Sequence, residues 1–254
     1  MGMTITDKEL TRGRGGIWLT YLVGLLLLLA TQLYGLSLYA GLPETVPTHW
    51  GPSGAPDAFA DKSPGAVFGM LWIGAGVIVV LAFIAAVVPA MSPARTRASE
   101  YRRVRREGMI RGTMNALGVA SIALAAVFSS LALQGWLRPE HVGGWFAVFL
   151  APILLVPIGW AMWRGSRWGQ RRVVELGIHP DEDEAAEERR WVAGGLFYND
   201  PVDPQILVPK REGTGTGLTI NIGNPKGKWA IVIFLLVILG LPIAMSLGIA
   251  AGTA

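Results

Sequence analysis

The sequence predicts an all-α integral membrane protein, with five transmembrane helices and a small cytoplasmic insertion made of a helix and a β-meander. Of its 254 residues, 52% are hydrophobic and 16% are charged, whereas a soluble domain carries about a quarter charged residues. Five segments contain no charged residue. Each is long enough to cross the apolar core of a bilayer, which requires about 20 residues in a helix.

The predicted spans follow directly from these segments, which are residues 15–43, 63–94, 112–137, 142–163 and 229–254. The fourth contains Pro152 and Pro157, and a proline inside a helix predicts a kink. The order of spans divides the chain into four parts. They are residues 1–112, with an outer loop at 42–63 and a basic inner loop at 91–112; residues 113–163, with spans three and four; the insertion 164–228; and the fifth span, 229–254.

The insertion changes character along its length. Its first part is predicted to continue the fourth helix, and a short acidic helix is predicted to begin after Pro180. Three β-prone runs follow, at residues 196–198, 206–208 and 218–222, separated by turn residues that include the glycines of segment 213–217. This pattern predicts a small β-meander.

The distribution of basic residues predicts the orientation. Twenty of the 22 Lys and Arg residues precede the first span, lie between the second and third, or lie in the insertion. Only Lys62 and Arg138 fall in the other two connections. Because cytoplasmic connections carry the excess of Lys and Arg, the N-terminus is predicted inside and the C-terminus outside.

The outer loop is the most distinctive feature outside the spans. Pro43, Pro47, Pro52 and Pro56 indicate a stiff, turn-rich segment that is not helical. Two interpretations are open. The loop is either a recognition surface with His49 and Trp50 as contact groups, or a structural cap whose histidine bonds the backbone and whose tryptophan lies at the membrane interface.

Few residues suggest catalysis or metal binding. His49 and His141, with neighbouring carboxylates, allow a zinc site to be drawn, but no paired-ligand spacing fixes it. The charge-free segments contain no ionisable side chain, which argues against an ion-coupled pump. We therefore expect no catalytic residue, no cofactor and no metal, in a protein that is not an enzyme.

The basic inner loop predicts a lipid contact. Its arginines lie beside predicted spans, where anionic headgroups at the inner face are the simplest partner. Nucleic acid is not expected. The candidate lipid-contacting residues are Arg102, Arg103, Arg105 and Arg106.

The outer loop also carries a family resemblance. The sequence Leu42-Pro43-x-x-Val46-Pro47-x-His49-Trp50, followed by Gly54-x-Pro56-Asp57 and Lys62, resembles the signature of a domain of unknown function found in SdpI-type immunity proteins. A stretch that begins Trp191-x-x-Gly194-Gly195-Leu196-Phe197-Tyr198 and runs to Pro225 looks like a second domain of unknown function that accompanies the first in bacterial membrane proteins.

The resemblance implies a multi-pass protein of the bacterial cytoplasmic membrane that acts as a sensor, immunity or accessory component with a peptide or protein partner. Two alternatives are a membrane enzyme or metal-dependent site built on the outer loop, and a small transporter or the membrane subunit of one. The candidate recognition residues are Pro43, Pro47, His49, Trp50, Gly54, Asp57 and Lys62.

Overall fold

The computed structural model describes residues 6–51, 54–92, 98–141, 145–211, 214 and 217–240, and the chain there is mostly helical. The helices are α1 Asp7–Thr11, α2 Trp18–Leu38, α3 Pro64–Met91, α4 Glu100–Leu137, α5 Trp145–Glu175, α6 Glu182–Arg189 and α7 Pro225–Leu235, the last continued by a π-helical turn Leu236–Gly240. The strands are β1 Thr45–Trp50, β2 Pro56–Asp61, β3 Trp191–Val192, β4 Phe197–Tyr198, β5 Leu207–Pro209 and β6 Leu218–Ile220.

Three helical segments in the described part of the chain are long and apolar enough to cross a membrane. They are Asp7–Gly41, Pro64–Met91 and Glu100–Leu137, and they coincide with the first three predicted spans. The chain is therefore a membrane protein. The fourth and fifth spans stay predictions, and residues 241–254 of the fifth lie outside the described residues.

The chain divides into two compact units. The arginine-rich unit comprises Met1–Leu19, Ala82–Val119 and Val156–Phe234, and the hairpin unit comprises Thr20–Leu81, Ala120–Leu155 and Leu235–Ala254. Helices α2, α3, α4, α5 and α7 each contribute residues to both units.

Glycines allow α2, α3 and α4 to approach closely within the hairpin unit. A Cβ atom on Gly24 would lie 3.2 Å from the Ser121 carbonyl oxygen, and one on Gly74 would lie 2.9 Å from the Phe128 ring. Small residues serve this purpose in membrane helices, where close packing rather than hydrophobic burial holds helices together. The buried hydroxyl of Thr31 adds a hydrogen bond of 2.9 Å to the Ser129 hydroxyl.

The outer loop is a β-hairpin, which the proline content did not predict. Strands β1 and β2 pair antiparallel, from Thr45 opposite Asp61 to Trp50 opposite Pro56, with irregular register between Pro47 and Trp50. The loop was correctly expected not to be helical. Pro52 and Ser53, which connect the strands, lie outside the described residues.

Two sequence predictions for the insertion are confirmed in the arginine-rich unit. Helix α5 continues through Glu175, and α6 begins immediately after Asp181. The Asp181 carboxylate accepts a hydrogen bond of 2.7 Å from the Glu184 backbone N–H, and the Glu184 side chain accepts one from the Asp181 backbone. This reciprocal capping box explains the helix start.

The predicted β-meander is wrong in its pairing. Strand β5 does pair with β6, but β4 pairs with β3, and β4 meets β6 only through a parallel bridge between Tyr198 and Asn221. The buried Asn221 accounts for the difference. Its Nδ2 lies 2.9 to 3.1 Å from the carbonyl oxygens of Asp200, Asp203 and Gln205, so these residues bond to a side chain and not to a neighbouring strand. Part of the predicted glycine-rich turn, residues 212–213 and 215–216, lies outside the described residues.

Candidate functional site

An apolar pocket of about 360 Å³ lies beside the hairpin, within the hairpin unit. Strand β1, the first turns of α3 and the last turns of α4 form its walls. Among the described residues, no Asp, Glu, Lys, Arg or His side chain lines it. The lining residues are Leu42, Pro43, Val46, Pro47, Thr48, Trp50, Gly65, Ala66, Val67, Gly69, Met70, Ile73, Leu131, Ala132, Gly135, Trp136 and Pro139.

Trp50 attaches the hairpin to the end of α4. Its indole Nε1 donates a hydrogen bond of 2.9 Å to the Pro139 carbonyl oxygen. Its ring also lies over Gly135, where a Cβ atom would come within 2.9 Å of the indole. The hydrogen bond holds the half-buried indole of Trp50 in one orientation, in which it closes one side of the pocket.

An aromatic cluster supports another part of the pocket wall. The Tyr39 and Phe68 rings stack at 5.7 Å, and Phe68 meets Trp136 edge to face at 5.7 Å. The Trp136 indole donates a hydrogen bond of 3.2 Å to the Val67 carbonyl oxygen, and Val46 of β1 is buried against the cluster. Aromatic packing of this geometry holds the wall in one arrangement.

Lys62 joins the two ends of the hairpin. Its ammonium group donates to the Leu42 carbonyl oxygen at 2.9 Å and pairs with the Glu44 carboxylate at 2.9 Å. Its backbone N–H donates to the Glu44 carbonyl oxygen at 2.7 Å. Only 14% of the Lys62 side chain is exposed. Lys62 thus acts on the shape of the hairpin and does not line the pocket.

Gly54 has a conformational role near the tip of the hairpin. Its φ of +82° is unfavourable for other residues. Its N–H donates to the Gly51 carbonyl oxygen at 2.9 Å, and the Gly51 N–H donates to that of Ala55 at 2.9 Å.

His49 and Asp57 form an exposed pair across the hairpin. The His49 Nδ1 and the Asp57 Oδ1 are 2.5 Å apart, with 69% and 51% of the respective side chains exposed. If the outer loop were a structural cap, the sequence predicted that His49 would bond to the backbone; its partner in the structure is instead the Asp57 carboxylate. Within the part of the chain that the structure describes, no group of three or more His, Asp or Glu side chains is placed to hold a metal ion.

Three of the seven candidate recognition residues, Pro43, Pro47 and Trp50, therefore line one pocket, and the other four do not. Sequence reasoning missed the contribution of α3. Gly65 and Gly69 lie one helical turn apart, and a Cβ atom on either would meet no atom within 4 Å. Two glycines four residues apart, directly after the hairpin, were the sequence feature from which this part of the pocket wall could have been predicted.

The four arginines proposed as lipid contacts have protein partners in the arginine-rich unit. Arg102 pairs with Glu184 at 3.1 Å and Glu187 at 3.2 Å, and Arg103 pairs with Asp7 at 2.7 Å. Arg106 donates to the Ser92 carbonyl oxygen and, at 3.1 Å, to that of Pro89. Contact of these residues with lipid stays a prediction.

Arg105 is the most deeply buried of the four, with 4% of its side chain exposed. It donates to the Ser166 carbonyl oxygen at 2.7 Å and pairs with Glu188, which also pairs with Arg211. Burial alone would raise the pKa of Glu188, but Arg211 and Arg105 outweigh it and hold that pKa below its ordinary value. The insertion is therefore joined to α4 through a shared carboxylate.

Comparison with known proteins identifies one domain. Residues 26–74 match the family model of a domain of unknown function, DUF1648. The match covers much of α2, the whole hairpin and the first part of α3. No curated protein and no solved structure matches the chain. The fold is that of a membrane protein, and the segment that matches DUF1648 supplies most of the residues that line the pocket.

Proposed function

We propose that the chain is a non-enzymatic recognition component of the bacterial cytoplasmic membrane, a sensor, immunity or accessory protein, whose hairpin pocket binds an apolar segment of a peptide or protein. The observation that carries the proposal is the apolar pocket of about 360 Å³, whose lining includes five residues of the sequence signature: Leu42, Pro43, Val46, Pro47 and Trp50. Ligand pockets typically have this size, an apolar lining and few polar groups.

The pocket chemistry favours an apolar peptide segment over a charged metabolite. Its lining offers rings, aliphatic side chains and glycine surfaces, with Thr48 as the one hydroxyl among the described lining residues. An ionised ligand would lose its hydration here without gaining a charged partner, which is costly. The resemblance to SdpI-type immunity proteins agrees with a peptide ligand, because SdpI confers immunity to a secreted peptide toxin.

The proposal includes a topology. Five spans, an inside N-terminus and an outside C-terminus would present the hairpin outside the cell and residues 164–228 to the cytoplasm. The positive-inside distribution of Lys and Arg supports this arrangement. The resemblance of residues 191–225 to a second domain of bacterial membrane proteins supports a separate docking or reporting role for the insertion.

A substitution that fills the pocket tests the proposal. Gly69→Leu introduces a side chain into open space on the pocket wall, and leucine also favours the helix more than glycine does, by up to about 1 kcal/mol. We expect the variant to fold normally and to bind a short fluorescent peptide rich in Leu and Phe about tenfold more weakly. Anisotropy in phosphatidylcholine nanodiscs measures this affinity.

The matched control is Gly76→Leu. Gly76 lies on the same helix, also has open space at its Cβ position and does not line the pocket. It should bind the peptide as the wild type does. Equal binding by Gly69→Leu and Gly76→Leu would contradict the proposal, and so would a wild-type protein that binds no apolar peptide.

The exposed His49–Asp57 pair keeps a second function open. A histidine held by a carboxylate at 2.5 Å is oriented as a catalytic base is, so a hydrolytic site on the outer face of the hairpin is the alternative. Turnover of the peptide that depends on His49 would establish it.

A further inference from the structure

A second pocket, in the arginine-rich unit, has a different chemistry. Its volume is about 260 Å³, and both arginines and tryptophans line it. No Asp or Glu is among the described residues that form its wall. They are Gly13, Gly16, Ile17, Arg111, Asn115, Val119, Trp160, Ala161, Arg164, Gly165 and Trp168.

The pocket lies where three chain segments enter their charge-free stretches. The first stretch begins at residue 15 and the third at residue 112, one position after Arg111, while the fourth ends at residue 163, one position before Arg164. A Cβ atom on Gly112 would lie 3.3 Å from the Met162 backbone, so α4 and α5 reach this boundary at the same level. The headgroup region of a bilayer lies at such a boundary.

Each arginine of the pocket lies over a tryptophan ring. The Arg111 guanidinium carbon is 4.2 Å from the Trp168 ring centroid, and that of Arg164 is 4.7 Å from the Trp160 centroid. This stacking keeps both guanidinium groups in place. The Arg111 Nε donates to Glu107 at 2.8 Å and its Nη2 donates to the Leu10 and Arg12 carbonyl oxygens, so Nη1 is the nitrogen with which Arg111 would bind a ligand.

The charge balance leaves the pocket positive. Arg111 shares the Glu107 carboxylate with Arg14, so two arginines face one carboxylate. Arg164 is exposed and has no carboxylate partner among the residues that the structure describes. An anion with two or more acceptor oxygens fits this arrangement, since guanidinium groups bind phosphate oxygens in pairs.

We propose that this pocket binds the phosphate headgroup of an anionic phospholipid, with the acyl chains lying along the apolar helix surfaces next to it. Arg111 and Arg164 bind the phosphate, and the Trp160 and Trp168 rings lie at the level of the glycerol backbone. Lipid is the phosphate source because the pocket stands at the end of three apolar segments. Within this site Arg164 has no carboxylate partner among the described residues, whereas Arg102, Arg103, Arg105 and Arg106 all bond to protein groups.

The experiment uses the full chain purified in detergent, offered phosphatidylglycerol and phosphatidylcholine with the same acyl chains. Native mass spectrometry then counts the bound lipids. The wild type should retain phosphatidylglycerol preferentially. Arg164→Gln should weaken that preference about fivefold, the effect of one basic residue near an anionic surface.

Two further variants distinguish lipid binding at this pocket from nonspecific attraction of anionic lipid by the positive charge of the protein. Arg189→Gln removes one exposed arginine on α6 that does not line the pocket, and it should leave the preference unchanged. Trp160→Leu keeps every charge and removes the ring beneath Arg164, and it should weaken the preference. Because Arg164 and Trp160 are both exposed, neither variant should disturb folding.

The proposal is overturned by equal retention of the two lipids in the wild type, or by an unchanged preference in both pocket variants. A competition experiment gives a third test. The proposal is also overturned if millimolar inorganic phosphate displaces phosphatidylglycerol as effectively as phosphatidic acid does, because the pocket would then recognise free phosphate.

Discussion

The Trp50 indole N–H donates a hydrogen bond of 2.9 Å to the carbonyl oxygen of Pro139, two residues beyond the end of α4. Residues 89 positions apart in the chain are thereby joined. The Lys62 interactions join the two ends of the hairpin to each other, whereas the Trp50 bond joins the hairpin to the end of α4. Trp50 therefore controls how far the tip of the hairpin can move away from the pocket.

Trp50→Phe should loosen the hairpin without unfolding the protein. Phenylalanine keeps a ring over Gly135 but cannot donate to Pro139, and a hydrogen bond of this kind contributes about 1 kcal/mol. Hydrogen exchange of the β1 and β2 amides should become faster by about fivefold, while exchange in α4 near Val104 should not change. Equal protection in wild type and Trp50→Phe would show that the bond does not restrain the hairpin.

Gly165→Ala should destabilise the contact between α4 and α5. A Cβ atom on Gly165 would lie 2.4 Å from the Gly112 Cα and 2.5 Å from the Gly108 carbonyl oxygen. Both are backbone atoms, so the helices must separate, and overpacking of this kind typically costs roughly 1–3 kcal/mol. The thermal unfolding midpoint in detergent should fall.

Gly159→Ala is the control for that substitution. Gly159 lies on the same helix with no atom within 4 Å of its Cβ position, and alanine favours the helix by up to about 1 kcal/mol. Its unfolding midpoint should stay constant or rise. A fall of the same size in both variants would mean that α5 tolerates no alanine for reasons unrelated to this contact.

Glu188 should make the arginine-rich unit sensitive to acid. Its pKa in the folded protein lies below the ordinary value of 4.5. The stabilisation it provides is therefore complete above pH 4.5 and is lost as pH falls through the folded pKa. The midpoint of thermal unfolding should decrease on acidification below pH 4.5, with Glu188→Gln less stable at neutral pH and less dependent on pH in this range.

Glu182→Gln provides the comparison for Glu188. Glu182 is exposed in the first turn of the same helix. Its variant should keep the acid dependence of the wild type. If Glu188→Gln were as acid-sensitive as Glu182→Gln, the shared carboxylate would not be a source of that dependence.

Reporter fusions should distinguish the two sides of the membrane. Fusions near Pro52 and at the C-terminus are expected to report outside, and fusions at Arg102 and Gly213 inside, because of the distribution of Lys and Arg. An outside signal at Gly213 would contradict the five-span topology, while the three apolar helical segments would stand.

Charge-free runs and local sequence composition predicted the parts of the fold that depend on local chemistry. The first three spans follow from uncharged apolar runs, and the start of α6 follows from Asp181 with Glu184 three residues later. The strand pairing of the insertion could not be predicted in this way. It depends on Asn221 bonding to carbonyl groups 16 to 21 residues away in sequence, and side-chain bonds of that range leave no local pattern.

The candidate site shows the same limit. Prolines and Trp50 singled out the outer loop, but the pocket exists because Gly65 and Gly69 leave open space and Gly135 makes room for the Trp50 ring, and space is a property of packing. Arg102 and Arg105 suggested lipid because their carboxylate partners, Glu184 and Glu188, lie about 80 residues away in sequence. Charge counts along the chain cannot show which arginines the folded protein will pair.

His49→Ala decides whether the exposed face of the hairpin takes part in recognition. The His49–Asp57 pair is largely exposed, and exposed ion pairs contribute about 0–1 kcal/mol to stability. The unfolding midpoint should therefore hardly change. If the hairpin is a recognition surface on both faces, binding of the Leu- and Phe-rich peptide should weaken about fivefold, the equivalent of about 1 kcal/mol.

His141→Ala is the matched control, since His141 is exposed and does not line the pocket. Peptide binding should be the same in His141→Ala and in the wild type. Unchanged binding in His49→Ala would restrict recognition to the apolar pocket, with Trp50, Pro43 and Pro47 as its hairpin contacts. A fall in the unfolding midpoint of His49→Ala in step with lost binding would instead identify the His49–Asp57 pair as a structural cap, because the pair would then act only by holding β1 against β2.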